Sequence, residues 1–325
     1  MSGIDKLVKP VENEMNQCKN LFDSFMSHSS NLLLNDVLQR ISSRKGKMMR
    51  PLLTILVAKL LGEINERTYS AALAFEFLHT ASLVHDDIVD ESCERRGNPS
   101  VNQLFGDKVA VLVGDYLLSH VLLNAAKTES TRLIEIVARV SERLADGELL
   151  QLRNIYNQTI SEDVYFNIIQ GKTAELFAAA AEGGALSVNA CEEDLERLRA
   201  FGETVGICFQ IKDDIFDYIA GEEIGKPTGN DMAEGKLTLP VIHALFSKNQ
   251  EDMFQLAYKV KDGSISADEI ATLVRFTLEN QGIDYAEKIM RDYANKAKSM
   301  LSCYPESNVK SALLDYVDYV INRNY

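Results

Sequence analysis

The sequence predicts an all-α protein, a single domain over residues 1–325 built as a bundle of roughly ten or more helices. Three observations point there. Apolar residues recur at three- and four-residue spacing along almost the whole chain. Proline is scarce, at 6, while Ala, Leu and Glu abound. Runs of alternating polarity bounded by turn residues, the mark of strands, are hard to find. No Pro/Gly/Ser-rich linker, low-complexity tract or fixed-period repeat divides the chain.

In chain order, the first clear helix is RPLLTILVAKLLGE. Pro51 falls in its first turn, where the missing N–H costs no hydrogen bond, and Gly62 fits its end. Helical periodicity then covers residues 67–91, 108–126, 131–156, 161–182, 192–218, 237–247, 251–260, 267–280 and 282–303. A last helix runs from 308 to about 322.

Composition narrows the function. With 46% hydrophobic and 25% charged residues the chain can bury a large core. The 5 cysteines are odd in number, widely spaced and without CxxC, so reduced thiols are expected. No HExxH motif occurs among the 5 histidines. The net charge of −14 argues against nucleic acid as a partner. An anionic substrate would need clustered Lys/Arg or bound cations to invert the local field. No apolar run reads as long enough to span a membrane: the best, Ala71 to Val84, is interrupted by Glu76 and His79. The N-terminus has no apolar signal core and is too acidic for a transit peptide, so a cytoplasmic protein without stable membrane insertion is expected.

Two aspartate motifs carry the chemistry. His85-Asp86-Asp87-Ile88-Val89-Asp90 ends an apolar helical segment, with Asp86 and Asp90 at i, i+4 on one face and Asp87 beside them. Asp213-Asp214-Ile215-Phe216-Asp217 repeats the pattern after GICFQI. Like charges at this spacing repel, carboxylates near a core lose hydration, and a divalent cation relieves both. Carboxylates so placed suit Mg²⁺, which keeps waters and bridges to phosphates. Were the two helices to face each other, six carboxylates would flank one cavity fit for a diphosphate.

Basic residues supply the rest. Lys47 and Arg50 sit at a helix start, itself favourable to anions. Arg95-Arg96-Gly97 follows Asp90, Lys172-Thr173 lies in a helical stretch, and Lys226 and Lys236 punctuate the loop EEIGKPTGNDMAEGK. A P-loop is excluded: Phe166 stands where the first glycine before Gly171-Lys172-Thr173 should be, and Leu237 follows Gly235-Lys236.

Taken together, GKMMRP, FLHTASLVHDDIVDESCERRGNPSVN, VLVGDYLLS, GKTAELF, GICFQIKDDIFDY, GKPTGND and EGKLTLP resemble trans-type (all-E) polyprenyl diphosphate synthases, in family order over residues 46–240. The resemblance implies an isoprenoid synthase fold around a central active-site cavity. It implies three Mg²⁺ ions, two on the allylic diphosphate held by Asp86 and Asp90 with Asp87 supporting, and a third on Asp213 with Asp214 and Asp217 nearby. Arg95, Lys172, Lys226 and Lys236 would meet the allylic diphosphate (farnesyl or geranyl). Lys47, Arg50, His79 and Arg96 would bind isopentenyl diphosphate, and Thr173 and Gln210 would sit beside the developing cation. His85 is expected to be structural or to support the aspartates from behind, and a homodimer is implied. Ala81 and Ser82, one turn before Asp86, are small where short-chain members carry aromatics, with Leu78 and Phe75 deeper as wall or floor. The expected product is long, heptaprenyl to decaprenyl, with octaprenyl the central expectation. A terpene cyclase or a regulatory subunit of a heteromeric synthase would be expected to lack part of this set.

Overall fold

The computed structural model describes residues 3–27, 29–43, 46–95, 97–157, 159–219 and 228–323. The fold is all-α. Helices α1 (Gly3–Val8), α2 (Glu12–Met26) and α3 (Leu32–Ser42) precede the first helix expected from sequence, which is α4 (Met49–Leu61). Then come α5 (Glu66–Val89), a hairpin of β1 (Glu94–Arg95) and β2 (Asn98–Pro99), α6 (Val101–Phe105), α7 (Asp107–Lys127) and α8 (Thr131–Tyr156). Helix α9 (Glu162–Ile169) passes through a π-helical turn (Gln170–Ala174) into α10 (Glu175–Ser187). The rest are α11 (Glu192–Phe216), α12 (Asn230–Ala233), α13 (Leu239–Lys248), α14 (Glu251–Asp262), α15 (Ala267–Glu279), α16 (Gly282–Met300) and α17 (Asn308–Asn322). Among the described residues the two-residue hairpin is the only β-structure.

The stretch 161–182 is helical, as expected, with the π turn set into it. One expectation needs correcting: a run of membrane-spanning length does exist, since α7 is long and apolar enough by length and composition, with Asp115 its main interior charge and under half of that window buried.

The chain forms two compact units. The first comprises Met1–Ser141, Leu176–Gly202 and Cys303–Asp315. Helix α5 starts on a capping box between Asn65 and Thr68, so two otherwise orphaned N–H groups are satisfied. It packs on α4 and α7. Glycine permits close approach of α7 to α5, where a Cβ at Gly114 would fall 2.0 Å from His85 Nε2, and of α10 to α4, where one at Gly184 would fall 2.3 Å from the Thr54 carbonyl oxygen. His85 is thus a packing residue, its Nε2 3.2 Å from the Val111 carbonyl oxygen.

The second unit comprises Glu142–Glu175, Glu203–Ser302 and Tyr316–Tyr325. Tyr218, Met232, Val241, Leu245, Val260 and Leu273 belong to its core. Glycine meets glycine where α8 crosses the π turn: a Cβ on Gly147 would lie 2.9 Å from the Lys172 nitrogen, and one on Gly171 3.2 Å from the Arg143 carbonyl oxygen. Buried Lys261 closes the end of α8, donating to the carbonyl oxygens of Asn154 (2.6 Å) and Asn157 (2.8 Å). These are carbonyls a helix end otherwise leaves unpaired.

Candidate active site

In the first unit, α5 delivers the first aspartate motif. The helix ends at Val89, and Asp90 is its C-cap, its N–H still bonded to the Asp86 carbonyl oxygen at 2.8 Å. Asp86 and Asp90 are half-buried one turn apart. Asp87 is 3% exposed and accepts from Arg95, whose Nε and Nη2 both lie 2.7 Å from Oδ1. The hairpin carrying Arg95 is tied to the same helix end: Asn102 Nδ2 donates to the Asp87 carbonyl oxygen at 3.2 Å, and Ser100 Oγ to that of Ser92 at 2.7 Å. Arg95 is therefore engaged by the motif itself.

Lys47 is exposed just before α4, and Arg50 is buried in its first turn with the guanidinium 4.6 Å from the Phe177 ring centre. His79 is half-buried on α5, and its carbonyl oxygen accepts from Ser82 Oγ at 2.9 Å. Ala81, Leu78 and Phe75 are buried, and Phe75 packs where a Cβ on Gly183 would stand, 2.5 Å away. Arg96 lies outside the described residues, as does Lys226.

In the second unit a cavity of about 150 Å³ gathers Lys172, Thr173, Gln210, Asp214 and Lys236, five of the residues singled out by sequence. The π turn carries the first two, in keeping with the frequent placement of such turns at functional sites. Lys172 Nζ lies 2.6 Å from Glu148 Oε2, and Lys236 Nζ 2.6 Å from Glu234 Oε2. The second motif has a partner for each carboxylate. Asp213 Oδ1 is 2.5 Å from Arg323 Nη2, a cation stacked 4.0 Å over the Phe209 ring. Asp214, 4% exposed, accepts from Tyr165 Oη at 2.5 Å and from Gln210 Nε2 at 2.8 Å. Asp217 accepts from the backbone N–H groups of Asn230 (2.9 Å) and Asp231 (3.2 Å), which start α12.

Burial pushes the Asp214 carboxyl up to about 7, against the pull of Tyr165 and Gln210, with Asp213 and Asp217 adding to the rise. Asp217 and Asp231 are also raised, chiefly by burial. Among the described residues no three His, Cys, Asp or Glu side chains are grouped to hold an ion unaided.

Glu148, Gln151, Tyr165, Asp231 and Arg323 adjoin these groups without having been singled out by sequence. Glu148 and Gln151 have a local signal: they sit at i and i+3 on α8, with Glu148 directly after the crossing glycine. Tyr165 and Arg323 have none, since each reaches its aspartate across 49 and 110 residues respectively.

Residues 31–276 match the family model described as Polyprenyl synthetase. The chain is similar to the octaprenyl diphosphate synthase of Haemophilus influenzae, 36% identical over 281 residues, 86% of this chain and 85% of that one. It resembles the crystal structure of a geranylgeranyl pyrophosphate synthase from Bacteroides thetaiotaomicron at 46% identity and TM-score 0.88, covering 99% of this chain and 100% of the other. A polyprenyl synthase from Caulobacter crescentus CB15, complexed with calcium and isoprenyl diphosphate, is 34% identical with TM-score 0.92, covering 98% of each.

Proposed function

The chain belongs to the polyprenyl synthetase family and is a prenyltransferase, and from that premise we propose that it condenses isopentenyl diphosphate onto an allylic diphosphate in a Mg²⁺-dependent reaction giving a long all-trans product. The single observation that carries the reading is the pair of aspartate motifs, each on an apolar helix and each accompanied by basic side chains.

The donor set fits magnesium. Asp86 and Asp90 offer half-exposed carboxylates one turn apart, and Asp213 a third that is 39% exposed. Mg²⁺ binds through one or two carboxylates, water and substrate phosphates rather than an all-protein cage, in keeping with the lack of a three-donor cluster among the described residues. Three ions per site are proposed. When bound, they supply neutralisation of the charge that develops on the departing diphosphate. The protein's own part is to hold and shield. Lys172, Lys236, Arg95 and Lys226 bind the allylic diphosphate, and Lys47, Arg50, His79 and Arg96 the isopentenyl diphosphate. Thr173 and Gln210 face the allylic carbon as its C–O bond breaks. Apolar walls keep water from the electron-poor carbon until the isopentenyl double bond attacks it. The proton lost afterwards goes to the released diphosphate.

Small Ala81 and Ser82 favour a long product, heptaprenyl to decaprenyl with octaprenyl central, drawn along α5 past Leu78 and Phe75. The 46% identity with a protein named geranylgeranyl pyrophosphate synthase favours the second reading, a shorter product. We further propose a cytoplasmic homodimer, with the exposed Leu112, Leu122 and Leu123 of α7 as a surface a second copy could cover. The deciding experiment incubates the protein with Mg²⁺, farnesyl diphosphate and labelled isopentenyl diphosphate, and reads chain length by mass spectrometry. The expected outcome is a Mg²⁺-dependent ladder ending well past geranylgeranyl, shortened in Ala81→Phe. Products that stop at geranylgeranyl support the shorter reading, and no elongation with any primer overturns the proposal.

A further inference from the structure

We propose that Asp214 is a positioning residue and not a metal ligand: together with Tyr165 it fixes which end of the Gln210 amide faces Thr173, and so turns an electron-rich oxygen toward the cavity. The inference rests on the prenyl-transfer reading and deepens it.

Three hydrogen bonds form one directed chain. Tyr165 Oη donates to Asp214 Oδ2 at 2.5 Å. The other carboxylate oxygen, Oδ1, accepts from Gln210 Nε2 at 2.8 Å. With its nitrogen committed to the carboxylate, the amide points its oxygen the other way, where Oε1 accepts from Thr173 Oγ1 at 2.7 Å. A hydroxyl has one hydrogen and two lone pairs, so the Thr173 hydrogen is used up and only lone pairs remain for the cavity. Thr173, Gln210 and Asp214 all line that cavity.

A flipped amide would reverse the sense of the chain. Its NH₂ would donate to Thr173, whose own hydrogen would then swing outward and present positive charge to the cavity. An ionised carboxylate cannot reverse in this way, because it only accepts. Asp214 is therefore the member that sets the direction, and Tyr165, a donor held 5% exposed, anchors it. A dipole oriented in advance stabilises developing positive charge without reorganising at the moment of reaction. Asp214 differs from Asp213 in just this respect: its oxygens already accept two hydrogen bonds and it is 4% exposed, whereas Asp213 is 39% exposed.

The test compares two probes by calorimetry at pH 8.5, where Asp214 is ionised, in the presence of Mg²⁺: an allylic diphosphate analogue whose reacting carbon is replaced by a protonated amine, and its neutral carbon isostere. The wild-type protein is expected to prefer the ammonium probe by about tenfold or more, as for a hydrogen bond to a charged group. Asp214→Asn puts an amide where the carboxylate stood, frees the Gln210 amide to flip, and reduces the preference to about twofold or less. Tyr165→Phe preserves the packing volume and gives an intermediate preference; it carries the test alone if Asp214→Asn does not fold by circular dichroism. The double substitution Asp214→Asn with Gln210→Glu lets the new amide donate to the new carboxylate, which again accepts from Thr173, and it restores the preference. Half-saturating Mg²⁺ stays unchanged throughout. If Asp214→Asn instead keeps the full preference while half-saturating Mg²⁺ rises, Asp214 is a metal ligand and the inference is overturned. A wild-type protein that binds neither probe overturns the prenyl-transfer reading, and this inference with it.

Discussion

The two aspartate motifs are spelled alike and wired differently. In the first, burial concentrates on the middle residue, Asp87, which Arg95 holds within its own unit, while Asp86 and Asp90 share a half-buried face of α5. In the second, each carboxylate serves a separate partner: Asp213 the Arg323 guanidinium, Asp214 the Tyr165 hydroxyl and the Gln210 amide, Asp217 the first backbone N–H groups of α12. Spacing says on which face of a helix a carboxylate lies. Burial and partners decide what it can do there. On the proposed reading the first motif supplies two positions for a cation and the second one, with its other two carboxylates holding local structure.

The sharpest way to break that comparison is mutation of the carboxylates in turn. Asp86→Ala and Asp213→Ala are each expected to lower turnover about 10³-fold, the scale of lost charge stabilisation in an active site. Asp217→Ala should cost far less turnover and act through stability, because both its oxygens accept from the first backbone N–H groups of α12. Steady-state rates beside urea denaturation separate the two. Equal catalytic losses at Asp213 and Asp217 would show that the wiring has no functional meaning.

Next in size is the pair of arginines. Arg95→Ala leaves a carboxylate that is 3% exposed without its cation; with Arg95 itself partly in water, the expected loss is about 2 kcal/mol. Arg323→Ala leaves Asp213 in contact with solvent and forfeits mainly the contact with Phe209, for about 1 kcal/mol. Chemical denaturation of both variants measures the difference, and a reversed order would contradict the burial contrast between the motifs.

Most helices could be read in the sequence because their apolar spacing is uninterrupted: residues 131–156 match α8 at both ends, and 267–280 and 282–303 locate α15 and α16 to within a few residues. The π turn could not, since no local pattern distinguishes it. It lies where Gly171 meets Gly147 from another helix, a tertiary close approach. The aspartates themselves stood out by type and spacing, but their partners did not. Tyr165 sits in an ordinary amphipathic stretch and Arg323 in a flank with no motif, and nothing near either residue in sequence announces a carboxylate. The apolar length of α7 exceeds that of residues 71–84, with Asp115 the main charge in its interior. Gly147→Ala tests the crossing directly. Its Cβ would press on the Lys172 nitrogen at 2.9 Å, and a loss of about 1–2 kcal/mol is expected as the π turn shifts.

The pH dependence sharpens the comparison further, and its sign is unusual for a carboxylate. Asp214 rises from the ordinary 3.8 to about 7 in the folded metal-free protein, chiefly through burial, with Asp213 and Asp217 contributing in the same direction. Between those values the native state binds more protons at this group than the unfolded chain does. Its contribution to stability is therefore fully present below about pH 4 and is lost as pH rises through 7, with a slope no steeper than about 1.4 kcal/mol per pH unit. Asp217 and Asp231 are raised too and bend the curve the same way. Asp214→Asn removes the titrating group while keeping an acceptor for Tyr165, so the difference in stability between wild type and variant should shift in the variant's favour from pH 4 to pH 7. Urea midpoints at several pH values in chelator give that difference directly. A difference that does not change with pH would mean that Asp214 titrates alike in the folded and unfolded chains, and the contrast between a buried, proton-holding second motif and a first motif built around an ion pair would then have to be withdrawn.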